Sequence, residues 1–256
     1  MQEEKMHRST YRVLKIFELL SATSEGMSLT GLAQKLEIPK GSLHPILKTM
    51  QAMNFIRMND NGNYTIGQAA YFVGSSYTKN SDLLQEIDYV LKNLSSAVNQ
   101  TAYFSVLSGG EVLYLLEERV ATPITIQAKR GYKYPAYATG IGKALLSGKT
   151  EKDIKTLYPE GLYKLTEYTI DDFETQKSGY SFEKEESNKD VQCIAVPVKY
   201  KENVIAGMSV AVPVFYYSEE FEKKAMEELK KAKQHIEKLI QDNTQEWVYS
   251  PLGTET

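Results

Sequence analysis

Apolar residues recur at helical spacing three times early in the chain, each time as i, i+3, i+4, i+7. Val13, Ile16, Phe17 and Leu20 form the first set, Leu29, Leu32, Ala33 and Leu36 the second, and Leu43, Ile46, Leu47 and Met50 the third. Each set reads as a short helix with one face turned to a shared core. Ser28 is placed to cap the second helix, and Met27 and Leu32 to close over that cap as a hydrophobic staple. Pro39 predicts that this helix ends near Glu37. The period then changes. Phe55 to Met58 lead through Asn59, Asp60, Asn61, Gly62 and Asn63 into Tyr64, Thr65 and Ile66, the pattern of a hairpin with a polar turn. Three helices and a hairpin, with a short turn between the second and third helix, is the order of a winged helix-turn-helix.

In such a unit the third helix enters the major groove of DNA with the side opposite its apolar stripe. That side carries Lys40, Gly41, Ser42, His44, Lys48, Thr49 and Gln51. The two lysines suit phosphate or guanine, Ser42 and Thr49 can donate to phosphate, and Gly41 lets the backbone approach closely. Arg57 and the turn asparagines, Asn61 among them, are expected against the adjacent backbone or minor groove. Ser9 and Arg12 complete the candidate DNA contacts.

From Ile66 to Leu94 the pattern predicts a long, mostly helical connection, and the stretch from about Gly67 to Asn99 would transmit changes between the two ends of the chain. Strand signals follow at Ala102 to Leu107, Val112 to Leu116 and Ile124 to Ala128, and a second hairpin at Val191 to Lys199 and Val204 to Val212, turning through Lys201 to Asn203. Ile194, Val196, Val198, Met208, Val210 and Val212 share one face of this hairpin. Cys193, Ala195, Ser209 and Ala211, all small, share the other. Small residues clustered on one face either receive a helix closely or leave a pocket. A last amphipathic helix runs from Ser218 to about Asp242, followed by a tail that contains Trp247. The expected organisation is a DNA-binding unit at 1–70, a linker helix region at 71–99, a second domain at 100–242 and a tail at 243–256.

With 42% apolar, 25% charged and 11% aromatic residues, the composition excludes disorder as the main state. Charge changes the picture more. The net −3 averages a first segment, residues 1–70, with eight Lys/Arg against six acids, and a remainder with 22 against 27, so the reader is +2 and the rest −5. The charged N-terminus and the lack of long apolar runs predict no secretion signal and no membrane span, hence a cytoplasmic protein. One cysteine, Cys193, gives no disulfide or thiolate cage, and three histidines, His7, His44 and His235, give no base for a nucleophile and no metal set. Glu183, Glu185 and Glu186 read as a solvated strand end. The glycine-rich ATGIGKALLSGK fails as a P-loop, having Tyr137 and Ala144 where Gly and Ser/Thr are needed, and fails as a dinucleotide fingerprint at Leu145. It reads as a tight turn entering a helix at Ile141, whose free N–H groups can hold an anion.

The phrase SLTGLAQKLEIPKGSLHPILKTM resembles the DNA-binding domain of the IclR family of bacterial transcription regulators. GYKYPAYATGIGKALLSG, LTEYTI, and GYSFEKEE followed by CIAVPV resemble its effector domain. The resemblance implies an α+β chain: a winged helix-turn-helix joined by a helical linker to a GAF-like α/β domain with a central antiparallel sheet. It further implies a homodimer or tetramer on an operator in double-stranded DNA, controlled by a small, acidic metabolite and needing no cofactor, and it favours a pocket over a close helix on the small face of the second hairpin. Ala138, Gly140 and Ile141 would supply N–H groups to that effector, Cys193 and Ser209 its polar end, Tyr134 and Val191 an apolar wall, and Glu183 an acid contact; Ala211 stands where some members have serine. Two features depart from the family. Pro45 replaces an arginine, which fits if the helix begins near Gly41 or Ser42, and the stretch Asp172 to Gly179 is shorter than the family's helical insertion. Two rivals stay open: a redox regulator using Cys193, and a small-molecule enzyme with an accessory winged helix.

Overall fold

The computed structural model describes residues 6–79, 81–120, 133–158, 179–185 and 189–243. The expected strand at 124–128, the LTEYTI motif, the short stretch at 172–178 and the tail after 243 lie outside the described residues. The chain divides into two compact units, Met1–Asn80 and Ser81–Thr256.

In the first unit, helices α1 (Arg8–Ser21), α2 (Leu29–Lys35) and α3 (Lys40–Ala52) are followed by strands β1 (Ile56–Met58) and β2 (Tyr64–Ile66) and by helix α4 (Gln68–Lys79). Ile16, Leu20, Leu32, Leu43, Leu47 and Met50, drawn from all three apolar sets, are buried together with Ile56 and Tyr64. Phe17 and Phe55 meet edge to face at 5.8 Å beside them. Ser28 Oγ accepts from the N–H of Gly31 at 3.1 Å, a cap worth about 1 kcal/mol. Met27 packs on the same core and also pairs with Tyr64 through an isolated antiparallel bridge beside the hairpin.

Helix α2 stops two residues before Glu37. Glu37 takes a left-handed φ of +54°, and its N–H and that of Ile38 return to the carbonyls of Gln34 and Ala33, closing the helix before Pro39 is reached. Helix α3 ends the same way at Asn54, with φ +59°. Its start lies one residue before Gly41. Pro39 is the N-cap and Lys40 the first helical residue, so Pro45 lies in the second turn and Gly41's carbonyl loses its usual donor four residues on. Gly41 is exposed, so water can meet that carbonyl.

In the second unit a six-stranded antiparallel sheet has the order β5-β4-β3-β8-β7-β6. The strands are β3 (Thr101–Ser108), β4 (Glu111–Glu118), β5 (Lys133–Pro135), β6 (Ser181–Lys184), β7 (Val191–Tyr200) and β8 (Asn203–Pro213). Helices α5 (Asp82–Val98), α6 (Gly140–Leu146), α7 (Glu151–Leu157) and α8 (Glu219–Asp242) complete the unit; a serine opens each of the two long ones, Ser81 capping α5 and Ser218 capping α8. Leu84, Ile87, Leu91 and Leu94 of α5 and Leu229, Ile236 and Ile240 of α8 bury against Phe104, Ile194, Val196, Val198, Met208 and Val210. The bulky face of the second hairpin is therefore the floor of the main core. The long connection read from the sequence is two helices, α4 and α5, and α5 belongs to this core.

Candidate functional site

Each unit presents one candidate site. In the first, α3 turns Leu43, Leu47 and Met50 inward, which leaves Lys40, Gly41, Ser42, His44, Lys48, Thr49 and Gln51 exposed on the opposite side. Lys40 and Lys48 make no ion pair among the described residues, whereas Lys15 on α1 is held by Glu18 at 2.7 Å. Thr49 is partly committed, because its hydroxyl donates to the Pro45 carbonyl at 3.0 Å; it can still accept but has no proton left for phosphate. Ser9 is exposed and Arg12 half-exposed on α1, and Arg57 and Asn61 are exposed on the hairpin.

Two other turn asparagines face inward. Asn59 and Asn63 each donate from Nδ2 to the Glu25 carbonyl at 3.2 Å, and Asn59 Oδ1 accepts from the N–H groups of Asn61 and Asn63. They fix the hairpin to the loop before α2 instead of reaching outward. Gly26 makes that loop possible: its φ is +72°, and a Cβ there would lie 2.3 Å from the Tyr64 carbonyl oxygen. Gly41 is the opposite case, with nothing within 4 Å of where a Cβ would stand. Gly41→Ala should accordingly stabilise α3 by about 0.5–1 kcal/mol. It should nevertheless weaken binding if the backbone approaches DNA at this point. Thermal melting and a binding titration on one preparation check both halves, and a variant that binds as well as wild type removes Gly41 from the contact surface.

In the second unit the small face of the second hairpin receives α6. A Cβ on Gly140 would meet Cys193 Cβ at 3.1 Å and Glu183 Cβ at 3.2 Å, and one on Gly207 would meet Ile141 Cγ1 at 3.0 Å. Of the two expectations for this face, close approach of a helix is what the described residues show, in place of the pocket that the resemblance favours. Ile141, Ala144 and Leu145 pack there with Tyr103, Val191, Ala195 and Ala211. Thr139 caps the helix, its Oγ1 accepting from Gly142 N–H at 3.1 Å, and Ser181 Oγ donates to the Gly140 carbonyl at 2.7 Å. Of the first-turn N–H groups, those of Gly140 and Ile141 remain.

Ala138, in the turn just before α6, and Tyr134, on β5, are half-exposed, while Ser209 and Ala211 are buried beneath α6. Tyr103, Tyr114 and Tyr134 stand edge to face in a row, at 5.2 and 5.8 Å. Burial pushes the Tyr103 and Tyr114 hydroxyls above their ordinary range, so both stay neutral. Glu183 is only 1% exposed, which corrects its reading as part of a solvated strand end: pairing of Glu183 with Cys193 across β6 and β7 sets it on the covered face. Glu185 is exposed as expected, and Glu186 lies outside the described residues. Lys143, also buried, reaches the Phe182 carbonyl at 3.4 Å.

Cys193 is half-buried as a residue, and burial of its thiol, followed by the charge and hydrogen bond of Glu183, pushes the thiol well above its ordinary value. A neutral thiol beside a carboxylate is a poor nucleophile. A thiol-directed reagent should label the native chain far more slowly than the urea-unfolded chain, by about ten-fold or more, since unfolding returns the group to its ordinary pKa of about 8.5. Equal rates would revive the redox reading. Among the described residues no group of three or more His, Cys, Asp or Glu could hold a metal ion, and no helix is long and apolar enough to cross a membrane.

Comparison with known proteins fixes what these two units are. Residues 9–60 match the IclR helix-turn-helix domain, and residues 75–238 match the bacterial transcriptional regulator IclR C-terminal domain. The chain belongs to the IclR family. The transcriptional repressor IclR of Escherichia coli K12 is 31% identical over 221 residues, 81% of this chain and 80% of that one. KdgR, a helix-turn-helix transcriptional regulator of the same organism, is 27% identical over 230 residues, 85% of this chain and 88% of its own. These relatives are named as regulators of transcription, not as enzymes. An IclR-family regulator from Alicyclobacillus acidocaldarius shares the fold with a TM-score of 0.79 at 18% identity, over 92% of this chain and 99% of that one. An IclR homologue of Microbacterium hydrocarbonoxydans, solved with 4-hydroxybenzoate, superposes with a TM-score of 0.75 at 17% identity, covering 92% and 100%.

The chain is thus an IclR-family transcription regulator with a helix-turn-helix unit and a C-terminal sheet unit. The sequence missed the asparagine clamp on Glu25, which spans 34 and 38 residues, and the buried Lys143. The Thr139 cap was accessible, since threonine before a helix that opens with glycine is a capping signal.

Proposed function

We propose that this protein is a cytoplasmic transcriptional repressor whose paired winged-helix units read a pseudo-palindromic operator, and whose affinity for that operator is set by a small acidic metabolite. The observation that carries the reading is the uncommitted pair Lys40 and Lys48 on the exposed side of α3, flanked by His44 and by a Gly41 open to approach. The similarity to a named repressor supports the direction of control. Pairing is supported by α4, where Tyr71, Phe72 and Val73 are 76%, 75% and 58% exposed, more apolar surface than a lone helix leaves in water. A second copy that covers them also supplies the second reader, which a unit of only +2 requires for useful affinity.

For the effector, a neighbour of the same fold solved with 4-hydroxybenzoate supports a small carboxylate. We assign to it the N–H groups of Gly140 and Ile141 with the half-exposed Ala138 and Tyr134, and beneath them Val191, Glu183, Cys193, Ser209 and Ala211, which α6 covers in this structure and which a ligand reaches only where α6 gives way. The metabolite alters DNA affinity by binding two states of the protein unequally. Selection of bound fragments from genomic DNA tests the reading. Enrichment of one inverted repeat, released by a single class of carboxylate, is expected; enrichment without sequence preference would overturn the operator reading.

A further inference from the structure

Helix α8 segregates its charges in a way that its composition hides. Apart from Glu227 and the last residue, Asp242, its acids lie in the first turn, at Glu219, Glu220 and Glu222, where they suit the helix dipole, and at the half-buried Glu228 and Glu237. Between Lys223 and Lys238 the exposed positions are Lys223, Lys224, Glu227, Lys230, Lys231, Gln234, His235 and Lys238. Lys231 is held by Glu227 at 2.8 Å and Glu228 at 2.9 Å, which cancels the one exposed acid. Lys223, Lys224, Lys230 and Lys238 make no ion pair among the described residues. From Lys223 to Lys238 the helix rises about 1.5 Å per residue, which makes this a cationic stripe about 22 Å long, on a segment of the chain whose balance is negative.

We infer that this face of α8 is a second, sequence-independent contact for duplex DNA flanking the operator. It rests on the reading of the chain as a DNA-binding regulator. The stripe offers no aromatic or aliphatic side chain at any exposed position from Lys223 to Lys238, so it lacks the apolar anchor that a protein partner needs. Contact with a polyanion needs only cations, because the gain comes from releasing condensed counterions. A repeating line of unpaired lysines has that chemistry.

The test compares the full chain with a variant carrying Lys223→Gln, Lys224→Gln, Lys230→Gln and Lys238→Gln. Each is titrated against the selected operator in a duplex of about 25 base pairs and in one of about 80 base pairs. All four sites are exposed, so the variant should melt like wild type. On the long duplex it should lose about ten-fold or more in affinity, and its slope of log affinity against log salt should fall by about two to four. On the short duplex it should bind as wild type does. Equal affinities on both duplexes overturn the stripe while leaving the DNA reading intact; a wild type that binds neither duplex overturns the DNA reading itself. A variant that changes only its mass in light scattering assigns the face to an acidic surface of another protein copy, and also overturns the inference.

Discussion

Replacing Lys40 and Lys48 together by alanine will lower operator affinity by about 30-fold per winged-helix unit at about 0.15 M salt. Each phosphate neutralised contributes about 0.9 to the slope of log affinity against log salt, which near that concentration is worth about five-fold per contact. The slope should therefore fall by about two per unit, and in a dimer by about four. The fold should not suffer. Lys40 is the first residue of α3 and Lys48 an exposed interior position, and alanine is a good helix former at both. Lys15→Ala provides the control, since that lysine is already occupied by Glu18. Filter binding across a salt series is the measurement; an unchanged slope in the double variant would remove α3 from the groove.

The second large effect concerns the sheet unit. Gly142→Ala will destabilise it by about 3 kcal/mol, at the upper end of what overpacking costs. An added Cβ would lie 2.0 Å from the Ala136 carbonyl oxygen and 2.5 Å from its carbon, both backbone atoms that cannot rotate away. Helix α6 cannot retreat either, because its opposite side already touches the sheet through Gly140 and Gly207. For a unit of this size the change corresponds to a fall of about 6–12 °C in melting temperature. Scanning calorimetry should show the loss, and a variant that melts like wild type would mean that the turn from Ala136 to Thr139 yields more readily than its hydrogen bonds suggest.

These two expectations were not equally visible in the sequence. The lysines were, because the 3.6-residue period of Leu43, Ile46, Leu47 and Met50 fixes which side of α3 faces out. The fit of α6 was visible only as a choice: Cys193, Ala195, Ser209 and Ala211 declare a close neighbour or a gap, and only the distances from Gly140 and Gly207 decide. Glu183 was misread for a related reason. In a strand of four residues, alternation tells which side chains share a face but not which face is covered. Pro45 stands in the second turn of α3 and not the first, since a helix can forgo one hydrogen bond where the abandoned carbonyl is exposed to water. Links between Glu25 and two asparagines more than thirty residues away leave no periodic trace at all.

That last link has a kinetic meaning. A hairpin tied at Asn59 and Asn63 to one carbonyl, with its backbone already paired to Met27, would reach a duplex in its final shape if it contacts DNA as proposed. Little conformational entropy remains to be lost on contact, so encounter should lead to capture without a slow ordering step. The heat-capacity change of binding would then report buried surface rather than folding of the wing. Loss of either asparagine would move that ordering from the synthesis of the protein to every encounter with DNA.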